Sequence, residues 1–387
     1  MLRGLNAPVF EADYGDDEPA MQKYREAGTQ RALALGNRGP IRFAANGGLA
    51  PEIRDAYARC GFFVFTGVLG EDELTDLERD VNELLERAPV AKGAPLDKHG
   101  RPALSSECKA PNLSWVKPLS DPLGGTAAAH GRHPVKMSEP ARPAGAPEHV
   151  LQLVLGSLQF SEACLRVYAH PELLGVAAAI NGPDFTPFNE AVWIKHAGLG
   201  GSVAWHQDAW THWESPALDD DTHGFNFMAQ LYGCDAANGL WVVPGSHHAR
   251  ADIVALARAA GSDRLPAAVP LVCEPGDVAI CSRQVIHGSF ANVSQKPRVT
   301  INFGFHRRSS VLGVRTGGVH NPVATYDEAY IASRSRVIGY AIDARRQRFP
   351  HERAFAYAPH AGRDSEYRWT PEARAGLRDY NLQDLGI

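Results

Sequence analysis

The chain has few cysteines, no long apolar run and no excess of positive charge. Six cysteines in 387 residues, none in a C-x-x-C pair, cannot staple a chain of this length and lack zinc-site spacing. No stretch approaches the roughly 18–20 apolar residues of a membrane-spanning helix. The first fourteen residues carry charges and no apolar leader core, so a cytoplasmic protein is expected. Lys and Arg number 39 against 44 Asp and Glu, a formal net charge of −5. Gripping phosphate backbones favours the opposite balance, so neither nucleic acid nor membrane is expected as a partner. Also missing are the G-x-S-x-G elbow, the P-loop, a strand followed by G-x-G-x-x-G, and H-E-x-x-H. What remains is a chain 44% hydrophobic and 21% charged, able to bury a sizeable core.

Residues 1–47 are polar and weakly patterned and read as an N-terminal extension. A helix is predicted over 51–60, a buried strand over 61–65, and an amphipathic helix over 72–87. Leu74, Leu77, Val81, Leu84 and Leu85 share one face of the latter, and Pro89 closes it. From 88 to 147 the sequence is loose and rich in Pro, Gly, Ala and His, either a disordered insertion or a lid. Helical periodicity resumes over 161–180, interrupted near Pro171.

Between 185 and 306 short β-rich runs alternate with Gly- and Pro-bearing turns, which predicts a double-sheet jelly roll. With helices before the strands, the fold class is α+β, with a cupin-like jelly-roll domain over 48–308. The tail, 309–387, is rich in Arg and Tyr and is expected to be irregular except for a short capped helix over 370–379. It reads either as a solvated basic face or as a positive wall covering the active site.

The chemistry concentrates in Trp205-His-Gln-Asp208, at the end of a β-run. Side chains alternate along a strand, so His206 and Asp208 point one way and Gln207 the other. An imidazole and a carboxylate on one barrel face are two-thirds of the facial triad that holds non-haem Fe(II). Val285-Ile-His-Gly-Ser289 supplies the third candidate, His287, before a glycine that allows close backbone approach. Eleven residues on lies Arg298, in Arg298-Val-Thr-Ile-Asn-Phe303. If the intervening turn makes a hairpin, His287 and Arg298 are near neighbours across it, and Ser289 and Thr300 share their faces. An Arg buried in such a barrel is costly unless it meets an anion, which a bound dicarboxylate provides in bidentate geometry. Trp210 and Trp213 flank the metal strand and read as substrate wall or as core.

His206, Asp208, His287 and Arg298, in this order, resemble the phytanoyl-CoA dioxygenase family of Fe(II)- and 2-oxoglutarate-dependent oxygenases. So do Gly61-Phe-Phe-Val-Phe-Thr-Gly-Val-Leu69, Asn238-Gly-Leu-Trp-Val-Val-Pro-Gly-Ser-His247 and Glu274-Pro-Gly-Asp277. The resemblance covers roughly residues 51–307. It implies His206, Asp208 and His287 on iron, Arg298 and Ser289 on the distal carboxylate of 2-oxoglutarate, and O2 as co-reactant. Thr300 joins the cosubstrate site by strand parity. The aromatic that some relatives place near the cosubstrate on the 225–232 strand has no clear counterpart here; Phe227 or Gln230 stands in its place.

The implied reaction is hydroxylation, or related oxidation, of an unactivated C–H in a small molecule, with release of succinate and CO2. The intact carboxylate at Asp208 favours hydroxylation over halogenation. A natural-product intermediate is the favoured substrate, with an acyl-CoA thioester as the alternative. A cupin-type metal protein that does not use 2-oxoglutarate is the rival from outside the family.

Overall fold

The computed structural model describes residues 2–208, 223–316 and 323–384. The alternating runs fold into two sheets. Their strands, in chain order, are β1 (Arg38–Gly39), β2 (Phe62–Phe65), β3 (Leu113–Val116), β4 (Val150–Leu155), β5 (Thr186–Lys195), β6 (Val203–His206), β7 (Gly224–Gln230), β8 (Trp241–Val242), β9 (Val269–Pro270), β10 (Val278–Ser282), β11 (His287–Ser289) and β12 (Arg298–His306). The major sheet runs β1-β2-β10-β7-β12-β5-β4-β3, antiparallel throughout except for the parallel β1–β2 pair, and the minor sheet runs β6-β11-β8-β9. Helices α1 (Glu18–Ala34), α2 (Pro51–Cys60), α3 (Glu71–Arg87), α4 (Glu162–Tyr168) and α5 (Pro171–Asn181) precede or interrupt the strands. The architecture is the expected α+β jelly roll.

The two central strands show how the sequence divides the molecule. In β7, Phe225, Phe227 and Ala229 join the main apolar core with the helices, as do Val299, Ile301 and Phe303 in β12. Their alternates, Asn226, Met228 and Gln230, and Arg298, Thr300 and Asn302, line a cavity on the other face. Both faces are buried, so polar residues at period 2 mark an internal site and not a solvent face. Pro171 explains the break between α4 and α5: lacking an N–H, it cannot continue a helix but suits the first turn of a new one. Gly61 ends α2 at φ +77°, where a Cβ would also stand 2.6 Å from the His247 ring.

Three segments differ from the sequence reading. Residues 1–47 contain α1, which packs on the minor sheet. Met21 is buried there, Tyr24 stacks on Trp241 at 4.4 Å, and a Cβ on Gly28 would lie 2.5 Å from the Trp241 ring. Met21 and Gly28 are the only fully buried residues of this helix, too thin a stripe to register as amphipathic. Residues 88–147 are not structureless: they supply β3, the edge strand beside β4, and Asp97 binds Arg87 and Arg101 at 3.0 Å each.

The tail is the third. It is not irregular, because its 21-residue helix Glu328–Arg348 buries Arg334, Val337, Ile338 and Ala341 against α4 and β5. The helix expected over 370–379 is shorter, Pro371–Ala375, and is capped by the Thr370 hydroxyl. No helix among the described residues is long and apolar enough to cross a membrane.

Candidate active site

At the end of β6 the side chains alternate as strand geometry requires. Trp205 turns away into a second apolar cluster, where its indole N–H donates to the Asp263 carbonyl at 2.7 Å. Gln207 also turns away: its amide donates to the carbonyls of Ser246, Ala249 and Gln284 and accepts from Ala251 N–H. His206 and Asp208 turn into the cavity. His287 sits directly opposite His206 across the β11–β6 pair, with ring centroids 4.1 Å apart. A Cβ on Gly288 would meet Met137, the Val203 carbonyl and Trp205 at 2.9–3.1 Å, so only glycine lets β11 lie this close.

The two imidazoles share one orientation. His206 Nδ1 bonds the Ala204 carbonyl at 2.8 Å, and His287 Nδ1 bonds the Val285 carbonyl at 3.0 Å. A proton on each Nδ1 leaves both Nε2 lone pairs free to ligate. His206 Nε2 lies 3.7 Å from Asp208 Oδ1, and His287 Nε2 lies 3.7 Å from Asp208 Oδ2. One ligand atom from each of the three residues falls within 4.8 Å of the others.

Protonation suits a divalent ion. Burial, then the neighbouring His287 and His133, holds His206 well below its ordinary pKa. Burial alone would raise Asp208, but His206, His287, Arg283 and Arg132 outweigh it and keep the carboxyl well below its usual range. Two imidazoles and one carboxylate on a single face are the donor set of the non-haem Fe(II) triad.

The hairpin expected between His287 and Arg298 does not form. β11 pairs with β6 and β8 in the minor sheet, whereas β12 pairs with β5 and β7 in the major one. The chain crosses between sheets, and the two residues line one cavity from different sheets. Arg298 is buried, donates once to the Asn238 carbonyl at 3.2 Å, and has no partner at Nε. Burial lowers its pKa to about 10, which leaves it charged at neutral pH, and no carboxylate among the described residues pairs with it. The Ser289 hydroxyl is buried in the same cavity without a partner. A buried guanidinium without an acid beside an unbonded hydroxyl fits the far carboxylate of a keto diacid. Thr300 faces the cavity but already donates to Gln230 at 2.9 Å. Of the two positions open for the cosubstrate aromatic, Gln230 lines the cavity and Phe227 is core. Trp210 and Trp213 lie outside the described residues.

Sequence reasoning missed two neighbours of the triad. Arg132 and His133 come from the 88–147 segment. The Arg132 guanidinium is 3.6 Å from Asp208 Oδ1, and the His133 ring stacks on His206 at 4.2 Å. Nothing in the surrounding Gly- and Ala-rich loop announces them. Asn226 and Asn302 were missed as well, although polar residues at period 2 on strands buried on both faces are a signal that points to them. The cavity holds about 1500 Å³ of empty space including its mouth, and Asn381 of the tail joins its wall.

The phytanoyl-CoA dioxygenase family profile matches residues 57–300, more than half of the chain. An L-proline trans-4-hydroxylase of Streptomyces griseoviridis is 31% identical over 96 residues, which span 24% of this chain and 35% of that relative. Among solved structures, EctD from S. alaskensis with 2-oxoglutarate and 5-hydroxyectoine aligns with a TM-score of 0.49 at 18% identity, over 71% of this chain and 82% of its own. AviO1 from Streptomyces viridochromogenes aligns with a TM-score of 0.43 at 21% identity, over 65% and 91% respectively. On the extent of the profile match, the chain belongs to the phytanoyl-CoA dioxygenase family of Fe(II)- and 2-oxoglutarate-dependent oxygenases.

Proposed function

We propose that this protein hydroxylates an unactivated C–H of a small molecule, a natural-product intermediate, while converting 2-oxoglutarate to succinate and CO2. His206, Asp208 and His287 hold the iron, and Arg298 with Ser289 holds the distal carboxylate of the cosubstrate. Thr300 contributes by fixing Gln230 at the wall of that pocket. When bound, the iron supplies the activation of O2 that no side chain provides.

The chain's own residues bind, orient and exclude water. The hydrogen bonds at Nδ1 fix the tautomer of both histidines, and Gln207 pins the chain just past β6, between His206 and Asp208. Leu153, Leu155 and Trp193 give the chamber an apolar wall, while Asn226 and Asn302 give it amide groups. That mixture suits a polar metabolite with a hydrocarbon skeleton. Residues 48–308 form the catalytic domain, residues 1–47 buttress its minor sheet, and residues 309–387 close one side of the chamber through Asn381.

The observation that carries this reading is the acid-free buried Arg298 in one cavity with the His-Asp-His set. The test is anaerobic titration of the Fe(II)-loaded protein with 2-oxoglutarate, followed in air by succinate release across a metabolite library. A visible charge-transfer band and substrate-stimulated succinate are expected. Iron binding with no band and no succinate would favour the cupin-type alternative.

A further inference from the structure

We propose that Arg132 and His133 form a second oxyanion subsite, which receives a carboxylate carried by the substrate. This deepens the function proposed above and rests on it.

Arg132 is carried to the triad by a segment docked on β6. Asp121 accepts from Ala204 N–H at 2.8 Å and from Leu123 N–H at 2.8 Å, and Gly125 N–H donates to the His133 carbonyl at 2.8 Å. The Arg132 side chain is only 6% exposed, and its Nε is held by the Ala129 carbonyl at 3.2 Å. Among the described residues its one acidic neighbour is Asp208, at 3.6 Å. That separation exceeds the 2.7–2.9 Å of a charge-assisted hydrogen bond, so the fork is not satisfied by it. Asp208 is also assigned to the metal, and a carboxylate whose charge neutralises a cation is a poor counter-ion for a second one. A guanidinium buried on those terms is costly until an anion arrives.

His133 supplies the second observation. It is 4% exposed, it lines the same cavity, and its Nδ1 is buried without a hydrogen-bond partner. Two adjacent residues therefore present a guanidinium and a ring nitrogen beside His206. The same logic identifies the cosubstrate end, where Arg298 lies with Ser289, but the two pairs come from different parts of the chain. One guanidinium and one imidazole match the single charge of a carboxylate better than a dianionic phosphate ester.

The test uses the full-length protein loaded anaerobically with Fe(II) and 2-oxoglutarate, with acetate as probe and acetamide as its neutral twin. Acetate is expected to perturb the charge-transfer band saturably, and acetamide to do nothing at tenfold higher concentration. In Arg132→Gln the acetate response should weaken at least tenfold, while the 2-oxoglutarate titration stays within about twofold. An equal response to acetamide, or an acetate response that survives in Arg132→Gln, would overturn the subsite. So would a loss in that variant matched by equal loss of iron or 2-oxoglutarate affinity, since Arg132 would then merely support Asp208 or the cosubstrate. If Arg132→Gln does not fold, His133→Phe, which removes the unpartnered Nδ1 and keeps a ring beside His206, should weaken the acetate response likewise, and an unchanged response there would overturn the subsite. A band without any acetate response sinks this inference alone, whereas no band at all sinks the iron and 2-oxoglutarate reading beneath it.

Discussion

His206 and His287 are register partners across β6 and β11, and each hydrogen-bonds through Nδ1 to the carbonyl two residues before it. The local strand conformation of each histidine thus sets its own tautomer, and cross-strand pairing sets the distance between them. Replacing His287 by Ala removes one ligand and leaves the ladder intact. The expected result is loss of Fe(II) affinity beyond the roughly 10–100-fold that an outer-shell partner is worth. The charge-transfer band should vanish with an unchanged far-UV circular dichroism spectrum; retention of the band would remove His287 from the ligand set.

Substitution at Arg298 tests the proposed cosubstrate role apart from metal binding. In Arg298→Gln, Fe(II) binding should stay near its original value while 2-oxoglutarate affinity falls about 10–100-fold, the size of one charged hydrogen-bonding group lost from a buried site. Arg298→Lys should recover part of it, because charge is kept and the fork is not. Calorimetric titration of each ligand separately reads the difference.

How much of this was legible in the sequence follows physical lines. Period-2 alternation exposed the strands, and in Arg298-Val-Thr-Ile-Asn-Phe303 a buried arginine pointed to an anion site because a bare guanidinium inside a barrel is costly. The crossing of the chain between β11 and β12 was hidden, because eleven residues with a polar turn suit a hairpin as well as a sheet change. Helix α1 was hidden because it buries only a methionine and a glycine, and the glycine is required by the Trp241 ring rather than by any helical pattern. Arg132 and His133 were hidden because a loop held by Asp121 and backbone contacts has no periodicity to read.

Stability should fall as the solution is acidified below neutrality, before carboxylates protonate. Burial, then Arg345, depresses His170 to about 3, and burial, then Arg363, depresses His360 to about 4. In the unfolded chain both titrate near 6.5. Below that value the unfolded state therefore binds protons that the folded state refuses, and the balance shifts toward unfolding. Each such histidine contributes about 1.4 kcal/mol per pH unit between its two pKa values. Urea midpoints of the metal-free protein at pH 7.5, 6 and 5 should decline, and His170→Asn should flatten that decline. A pH-independent midpoint would show that these rings protonate in place.

Arg334 ties the end of the chain to the sheet that carries the site. It is fully buried, donates to Glu190 of β5 at 2.7 Å and to Asp384 at 2.8 and 3.0 Å, and lies over the Tyr380 ring. Tyr380 also bonds Glu190, and Tyr330 donates to Asp384 at 2.6 Å. Asn381, between these anchors, lines the cavity. Removing only the cation in Arg334→Met leaves two buried carboxylates facing each other, with an expected cost of about 3–5 kcal/mol. Neutralising the whole cluster as Glu190→Gln, Arg334→Met and Asp384→Asn together should recover most of that loss, because the uncompensated charge is the damaging element and not the missing contact. Thermal unfolding of the single and triple variants distinguishes the two cases: a triple variant no more stable than Arg334→Met would mean that the ion cluster itself, rather than the avoidance of bare charge, holds the tail against β5.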